Sequence, residues 1–251
     1  IIHDTHDMTS LKRELSSEEV VLEYMANTQS DGNIYVSSLM KNIAYKKFNL
    51  KNNKPVLDFP NLLSKDLLPD YYYPKLSLND GQLHCVYEGG ITNNDESHRY
   101  MEDFFLKLCN KKINVHFYTP YCWDYMEDYY YELENKSDFL HWEGSKEPKN
   151  LITEMTKYDV GLSVFYMKEA NKKHLNTGIS NKLWDYLASG LPVLISDVFE
   201  MKRIVKKYQV GKVIDKNKDI KKQLKDTSKI NIERDFLKEN QLLMDQIYNK
   251  I

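Results

Sequence analysis

Six short apolar runs, at residues 32–36, 54–59, 83–87, 113–118, 160–165 and 191–195, alternate with segments whose apolar residues recur at helical spacing. Strands buried on both faces read as near-continuous apolar runs, and a helix between two of them returns the chain to the same end of the sheet. The alternation therefore predicts βαβ units and parallel sheets, an α/β fold. A chain of 251 residues, 41% of them hydrophobic, can bury the core such sheets need, as one large domain or two small ones.

Local signals divide the chain further. Ser16 and Glu19 have capping-box spacing, with Val20, Val21, Tyr24 and Met25 following on one helical face that should end before Asp31-Gly32. Residues 60–82 carry Pro60, Pro69, Pro74 and Asn79-Asp80-Gly81 with little periodicity, and read as a connection between two lobes. The second lobe opens with a strand running into Gly89-Gly90, followed by a helical face over 100–108. Later, Leu183, Trp184, Leu187 and Ala188 share one helical face that Gly190 can close, before a buried strand. Met201, Ile204, Val205 and Tyr208 repeat the pattern up to Gly211, and a charged helical segment runs from about 231 to 248. There is no internal repeat, and the tyrosine runs at 71–73 and 129–131 read as a compositional habit.

The 35 basic and 37 acidic side chains nearly cancel, so no global field points toward nucleic acid. Cys85, Cys109 and Cys122 lack metal-ligand spacing and leave one thiol over, which suits a reducing cytoplasm. No run of about 18 apolar residues and no signal-peptide pattern is present. The opening Ile1-Ile2 reads as part of a strand, and the expectation is that further residues lie upstream of it. The phosphate-loop, dinucleotide, Cys-x-x-Cys, His-Glu-x-x-His and Asp-x-Asp signatures are all absent.

What remains is a constellation. The run Asn181-Lys182-Leu183-Trp184-Asp185-Tyr186-Leu187-Ala188-Ser189-Gly190-Leu191-Pro192-Val193 resembles the N-K-x-x-E-Y-x-A-x-G-x-P-V signature of retaining GT-B-type glycosyltransferases. Tyr158-Asp159-Val160-Gly161-Leu162 is similar to the family's strand-edge segment, and Val86-Tyr87-Glu88-Gly89-Gly90-Ile91 to its opening glycine loop. Ile2-His3-Asp4-Thr5-His6-Asp7 resembles a strand end of the acceptor lobe. The resemblance implies Rossmann-like parallel sheets flanked by helices, with an incomplete N-terminal acceptor lobe over 1–75, a nucleotide-sugar lobe over 76–230 and a C-terminal helix over 231–251.

A nucleotide sugar needs close backbone approach to its diphosphate and helix N-terminal N–H groups to offset charge. Gly89 and Gly90 can supply the first; Thr177, Gly178, Ile179 and Ser180, just before the signature helix, the second. A carboxylate at Asp185 can accept both ribose hydroxyl protons. Without the resemblance, these glycines turn the chain and Asp185 sits in a helix's first turns. The family's E-x7-E pair falls on Thr177 and Asp185, so one carboxylate is lost and the other shortened. Gly90 stands where an Arg is common; Arg99 is the nearest replacement, with His98 as competitor, and Lys182 the second cation. His6 aligns with a His near the reacting carbon, although His3, His6 and Asp4 also leave a zinc site open. Glu143 and Ser145 resemble the turn that touches the nucleobase, or simply finish a strand.

The implied activity is transfer of a sugar from a nucleoside diphosphate sugar to a hydroxyl of a glycan or lipid-linked acceptor, with retention, in polysaccharide or glycoconjugate biosynthesis. It implies no metal and no cofactor, the nucleotide sugar being substrate, with His6, Arg99 and Lys182 as catalytic candidates. A cytoplasmic enzyme is expected, with peripheral membrane contact and a partner glycosyltransferase subunit left open. A nucleotide-sugar epimerase of the same fold and a non-catalytic glycosyltransferase-like subunit are the alternatives.

Overall fold

The computed structural model describes residues 1–50 and 54–248. In chain order its strands are β1 (Ile2–Thr5), β2 (Gly32–Tyr35), β3 (Val56–Asp58), β4 (His84–Glu88), β5 (Asn114–Tyr118), β6 (Leu140–Trp142), β7 (Val160–Ser163), β8 (Val193–Ile195) and β9 (Gly211–Val213). Its α-helices are α1 (Thr9–Lys12), α2 (Ser17–Gln29), α3 (Ser38–Phe48), α4 (Ser77–Asp80), α5 (Glu102–Cys109), α6 (Glu127–Glu134), α7 (Pro148–Met155), α8 (Glu169–Thr177), α9 (Asn181–Ala188), α10 (Phe199–Tyr208), α11 (Ile220–Thr227), α12 (Phe236–Glu239) and α13 (Met244–Tyr248). The chain forms two compact units, one of residues 1–61, 167–179 and 198–204, the other of 62–166, 180–197 and 205–251.

The first unit holds a parallel sheet of order β1-β2-β3. The capping box forms: Ser16 Oγ accepts from the Glu19 amide at 3.3 Å, and the Ser16 amide donates to Glu19 Oε2 at 3.0 Å. The apolar face of α2 is nevertheless exposed, Val20 and Val21 by more than half, and its buried residue is Asn27. Asn27 is held by polar bonds, accepting from Tyr35 Oη at 2.6 Å. The core lies instead on α3, where Met40, Ala44 and Phe48 pack with Met8, Tyr35 and Val36. Helix α8 belongs to this unit: Ser37 Oγ donates to the Thr177 carbonyl at 2.6 Å.

The second unit is a six-stranded sheet of order β6-β5-β4-β7-β8-β9, every pair parallel. Strands β4, β5, β7 and β8 are buried at every residue, as their apolar runs require. The order steps from β4 through β5 to β6 on one side, then restarts beside β4 with β7. Connections leave in opposite directions at that point, opening a crevice at the carboxyl ends of β4 and β7.

Two boundaries differ from the sequence reading. From Leu62 on, the connection over 60–82 lies on the second unit, because its backbone is bonded there: the Leu76 amide donates to the Lys157 carbonyl at 2.8 Å and the Tyr73 amide to Thr156 Oγ1 at 2.9 Å. The divide therefore falls at 61/62, ahead of the residue 75 expected. The single terminal helix expected over 231–248 is two short ones, since Gln241 takes a left-handed φ of 56° and Leu243 pairs with Leu63 as an extended bridge. The last residues expected in it, 249–251, lie outside the described residues. Helix α11, capped by Asp219, precedes them.

Candidate functional site

At the carboxyl end of β4 the chain turns through Gly89 at φ 115°, a conformation an L side chain rarely adopts. A Cβ there would stand 2.8 Å from Lys182 Nζ, and one on Gly90 would meet Trp123 at 2.6 Å and Arg99 Nη1 at 2.8 Å. The two glycines thus let both expected cations close on one turn. The Arg99 guanidinium stacks 5.2 Å over Trp123, while Lys182 Nζ lies 5.0 Å from the Tyr87 ring and 5.8 Å from Phe165. Aromatic faces hold each cation in place without neutralising it.

Helix α9 is set by its apolar face: Leu183, Trp184, Tyr186, Leu187 and Ala188 are all buried. Gly161 on β7 admits the Tyr186 ring, which would lie 2.3 Å from a Cβ at that position. Tyr186 Oη then accepts from the Glu88 amide at 3.0 Å and lies 3.3 Å from the Leu162 carbonyl, its acceptor. This packing aims Asp185 at β4. Ser180 precedes α9 without a side-chain cap, its carbonyl accepting from the Leu183 amide at 3.0 Å.

Asp185 lines a pocket of about 210 Å³ with Glu88, Gly89, Tyr118, Thr119, Pro120, Lys146, Pro148, Leu151 and Ile152. Burial raises its carboxyl pKa to about 6, against the lowering effect of a hydrogen bond with Glu88 and the charge of Lys182. Burial also raises Glu88 well above the carboxylate range, and the Asp185 charge raises it further. A carboxyl pair, Gly89 and Lys146 therefore share one pocket with an apolar wall, and Lys182 adjoins it at the Gly89 turn. That combination can hold a nucleoside by its ribose and place an anionic group against Lys182.

The remaining expected residues lie elsewhere. Glu143 Oε1 is 2.7 Å from His116 Nδ1, and His116 Nε2 is 2.9 Å from His84 Nδ1, so the carboxylate ends a buried polar row across β4 and β5. Ser145 follows the left-handed Gly144, whose carbonyl accepts from the Thr119 amide at 3.0 Å. His98 stays beside this region, its carbonyl accepting from the Tyr166 amide at 3.0 Å. In the first unit, Thr177 is fully buried and its hydroxyl donates to the His174 carbonyl at 2.7 Å. Gly178 and Ile179 follow it there, with the Gly178 amide donating to Leu175 at 3.1 Å. His6 lines a cavity of that unit, 3.3 Å from Asp4 Oδ2. No group of three or more His, Cys, Asp or Glu among the described residues is placed to hold a metal ion, His3, His6 and Asp4 included. Sequence reasoning passed over Glu88, Tyr118, Thr119 and Lys146, whose only signal was proximity to a strand end.

Residues 98–242, more than half of the chain, match the family described as glucosyltransferase 3-like, C-terminal domain. The chain belongs to this family. No curated protein matches it in sequence. Among solved structures, this glucosyltransferase 3-like chain is similar to WaaG, a glycosyltransferase involved in lipopolysaccharide biosynthesis, with 14% identity and a TM-score of 0.55 over 99% of this chain and 68% of that one. The E. coli trehalose-6-phosphate structure bound with UDP-2-fluoro glucose gives 11% identity and a TM-score of 0.64, over 99% of this chain and 64% of that one. The GtfA/B complex gives 12% and 0.59, over 99% and 50%. At such identities the likeness is one of fold, and the fold is that of GT-B glycosyltransferases. The chain is a glycosyltransferase of GT-B type. No helix among the described residues is long and apolar enough to cross a membrane.

Proposed function

We propose that this chain binds a nucleoside diphosphate sugar and takes part in moving its sugar, with retention of configuration, to a hydroxyl of a glycan or lipid-linked acceptor. The observation that carries the reading is the meeting of Gly89, Lys182 and Asp185 at the switch point of the second sheet. Asp185 holds the ribose, and the diphosphate lies along the glycine turn. In transfer, the bond from the anomeric carbon to the diphosphate oxygen breaks, a bond to the acceptor oxygen forms, and the acceptor's proton leaves with the diphosphate. Lys182 and Arg99 supply positive charge where the leaving group gains negative charge, which favours the transition state over the bound donor. No cofactor and no metal take part in this scheme. UDP is the natural first probe, since two of the similar structures were solved with UDP or a UDP sugar. Calorimetry with UDP, GDP and ADP tests the binding, and binding of none of them overturns the donor reading. Product analysis with the corresponding sugars and an acceptor panel tests transfer and anomeric configuration.

A second reading is favoured by Thr177, whose buried, helix-bonded hydroxyl offers no carboxylate to a donor sugar. In it the chain serves as a donor-binding, non-catalytic subunit beside an active glycosyltransferase, at the membrane face where a lipid-linked acceptor would lie. Nucleotide binding without donor turnover, restored on adding a partner subunit, marks that role.

A further inference from the structure

Glu88 is 7% exposed, and its Oε1 has no hydrogen-bond partner although it lines the same pocket as Asp185. A buried acceptor left unpaired is costly, so its partner is to be sought in whatever fills the pocket. The Glu88 and Asp185 carboxyl groups are in hydrogen-bond contact with each other. Two carboxylates this close inside a protein cannot both be charged without a large penalty, whereas a pair sharing one proton makes a good hydrogen bond.

The groups facing Glu88 match that state. From α9 come Asp185, Lys182 and the Tyr186 phenol, while Tyr118 of β5 and Lys146 of the loop after β6 line the same pocket. With one proton on the pair, the remaining negative charge is balanced by Lys182. With none, a second negative charge would face the diphosphate of an entering nucleotide.

We propose that Glu88 is a second ribose-reading residue, sharing one proton with Asp185 and accepting a ribose hydroxyl on its unpartnered Oε1. The assignment rests on the nucleotide-binding reading above. In it the two acids divide the vicinal diol, Asp185 taking one hydroxyl as a carboxylate and Glu88 the other as a neutral acid. The pocket thereby selects a ribonucleotide over a deoxyribonucleotide.

The test compares wild type with Glu88→Gln and Glu88→Leu. Calorimetry with UDP, 2′-deoxy-UDP and 3′-deoxy-UDP should show wild type preferring UDP to both analogues. Glu88→Gln should stay within about threefold of wild type for UDP, because its amide can donate to Asp185 and its carbonyl oxygen can accept from the ligand. Glu88→Leu should bind UDP about three- to tenfold more weakly and lose the preference against one of the two analogues, that preference being the loss of one neutral hydrogen bond. Unchanged UDP affinity in Glu88→Leu, or equal damage in both variants, overturns the ribose contact.

Melting of the ligand-free protein tests the shared proton separately. In wild type the folded state keeps a proton on Glu88 that the unfolded state releases above about pH 4.5, so stability falls as pH rises through the window above it. Glu88→Gln does not titrate, and its melting temperature should gain on wild type steadily from about pH 5 to pH 8. Parallel curves overturn the proton sharing. If wild type binds no nucleoside diphosphate at all, the donor reading fails and the ribose contact with it, while the melting curves still decide the protonation of the pair.

Discussion

Asp185 combines two properties that pull against each other: it is buried enough for its pKa to rise to about 6, and its proposed role requires a charge. Asp185→Asn keeps the shape and removes the charge. Because a hydrogen bond to a charged group contributes about 1.5–3 kcal/mol, the substitution should weaken UDP binding by about ten- to a hundredfold with little change in melting temperature. Normal binding by the variant would remove the ribose assignment. The same group sets a pH dependence. A raised pKa means that the carboxylate is lost as pH falls through about 6, so the affinity for UDP-glucose, whose diphosphate does not titrate in this range, should drop on acidification below that point. Calorimetry at a series of pH values checks this, and a flat acid limb contradicts it. At this scale Asp185, Gly89 and Lys182 were legible because each stands inside a run with a recognisable order. Glu88 was not, since nothing in Tyr87-Glu88-Gly89 tells whether a strand-end acid faces solvent or a pocket.

Helix α9 carries the binding carboxylate on one side and its anchorage on the other. Leu187 is buried at 1% exposure and absent from the pocket wall. Leu187→Ala should leave a cavity that destabilises the protein by about 2–5 kcal/mol while nucleotide affinity at low temperature stays unchanged, the reverse of Asp185→Asn. Thermal melts and calorimetry on the two variants separate support from binding; a Leu187→Ala protein that folds stably yet loses UDP places Leu187 in the binding machinery. Several elements follow from local pattern: the α9 face, strands β4, β5, β7 and β8, and the Ser16–Glu19 box all form where the sequence indicated. The failures share a cause. Periodicity showed an apolar face on α2 but not what covers it, and Val20 and Val21 stand exposed. The charged terminal segment had helical spacing, but a left-handed Gln241 and the pairing of Leu243 with Leu63 interrupt it, and that pairing spans a separation no local pattern reports.

For the whole molecule, charge compensation in the proposed reaction comes from Lys182, Arg99 and backbone N–H groups. Transfer activity should therefore persist in excess EDTA, and its loss with recovery on adding Mn²⁺ or Mg²⁺ would contradict that scheme. The α/β class, the parallel pairing and the family were in the sequence itself, because buried parallel strands need unbroken apolar runs and the signature helix needs its residues in fixed order. Where the units divide was a tertiary matter. Helix α8 and the first turns of α10 are counted with β1 to β3 although they come between strands of the second sheet, through contacts such as Ser37 with Thr177 and the Leu39 amide with Glu200 Oε1 at 2.6 Å. The proton state of Glu88 and Asp185 was decided there as well. Each acid is an ordinary carboxylate in the chain, and only the fold, by setting a strand end and a helix 97 positions apart in sequence against each other at the switch point, brings the two within reach of one proton.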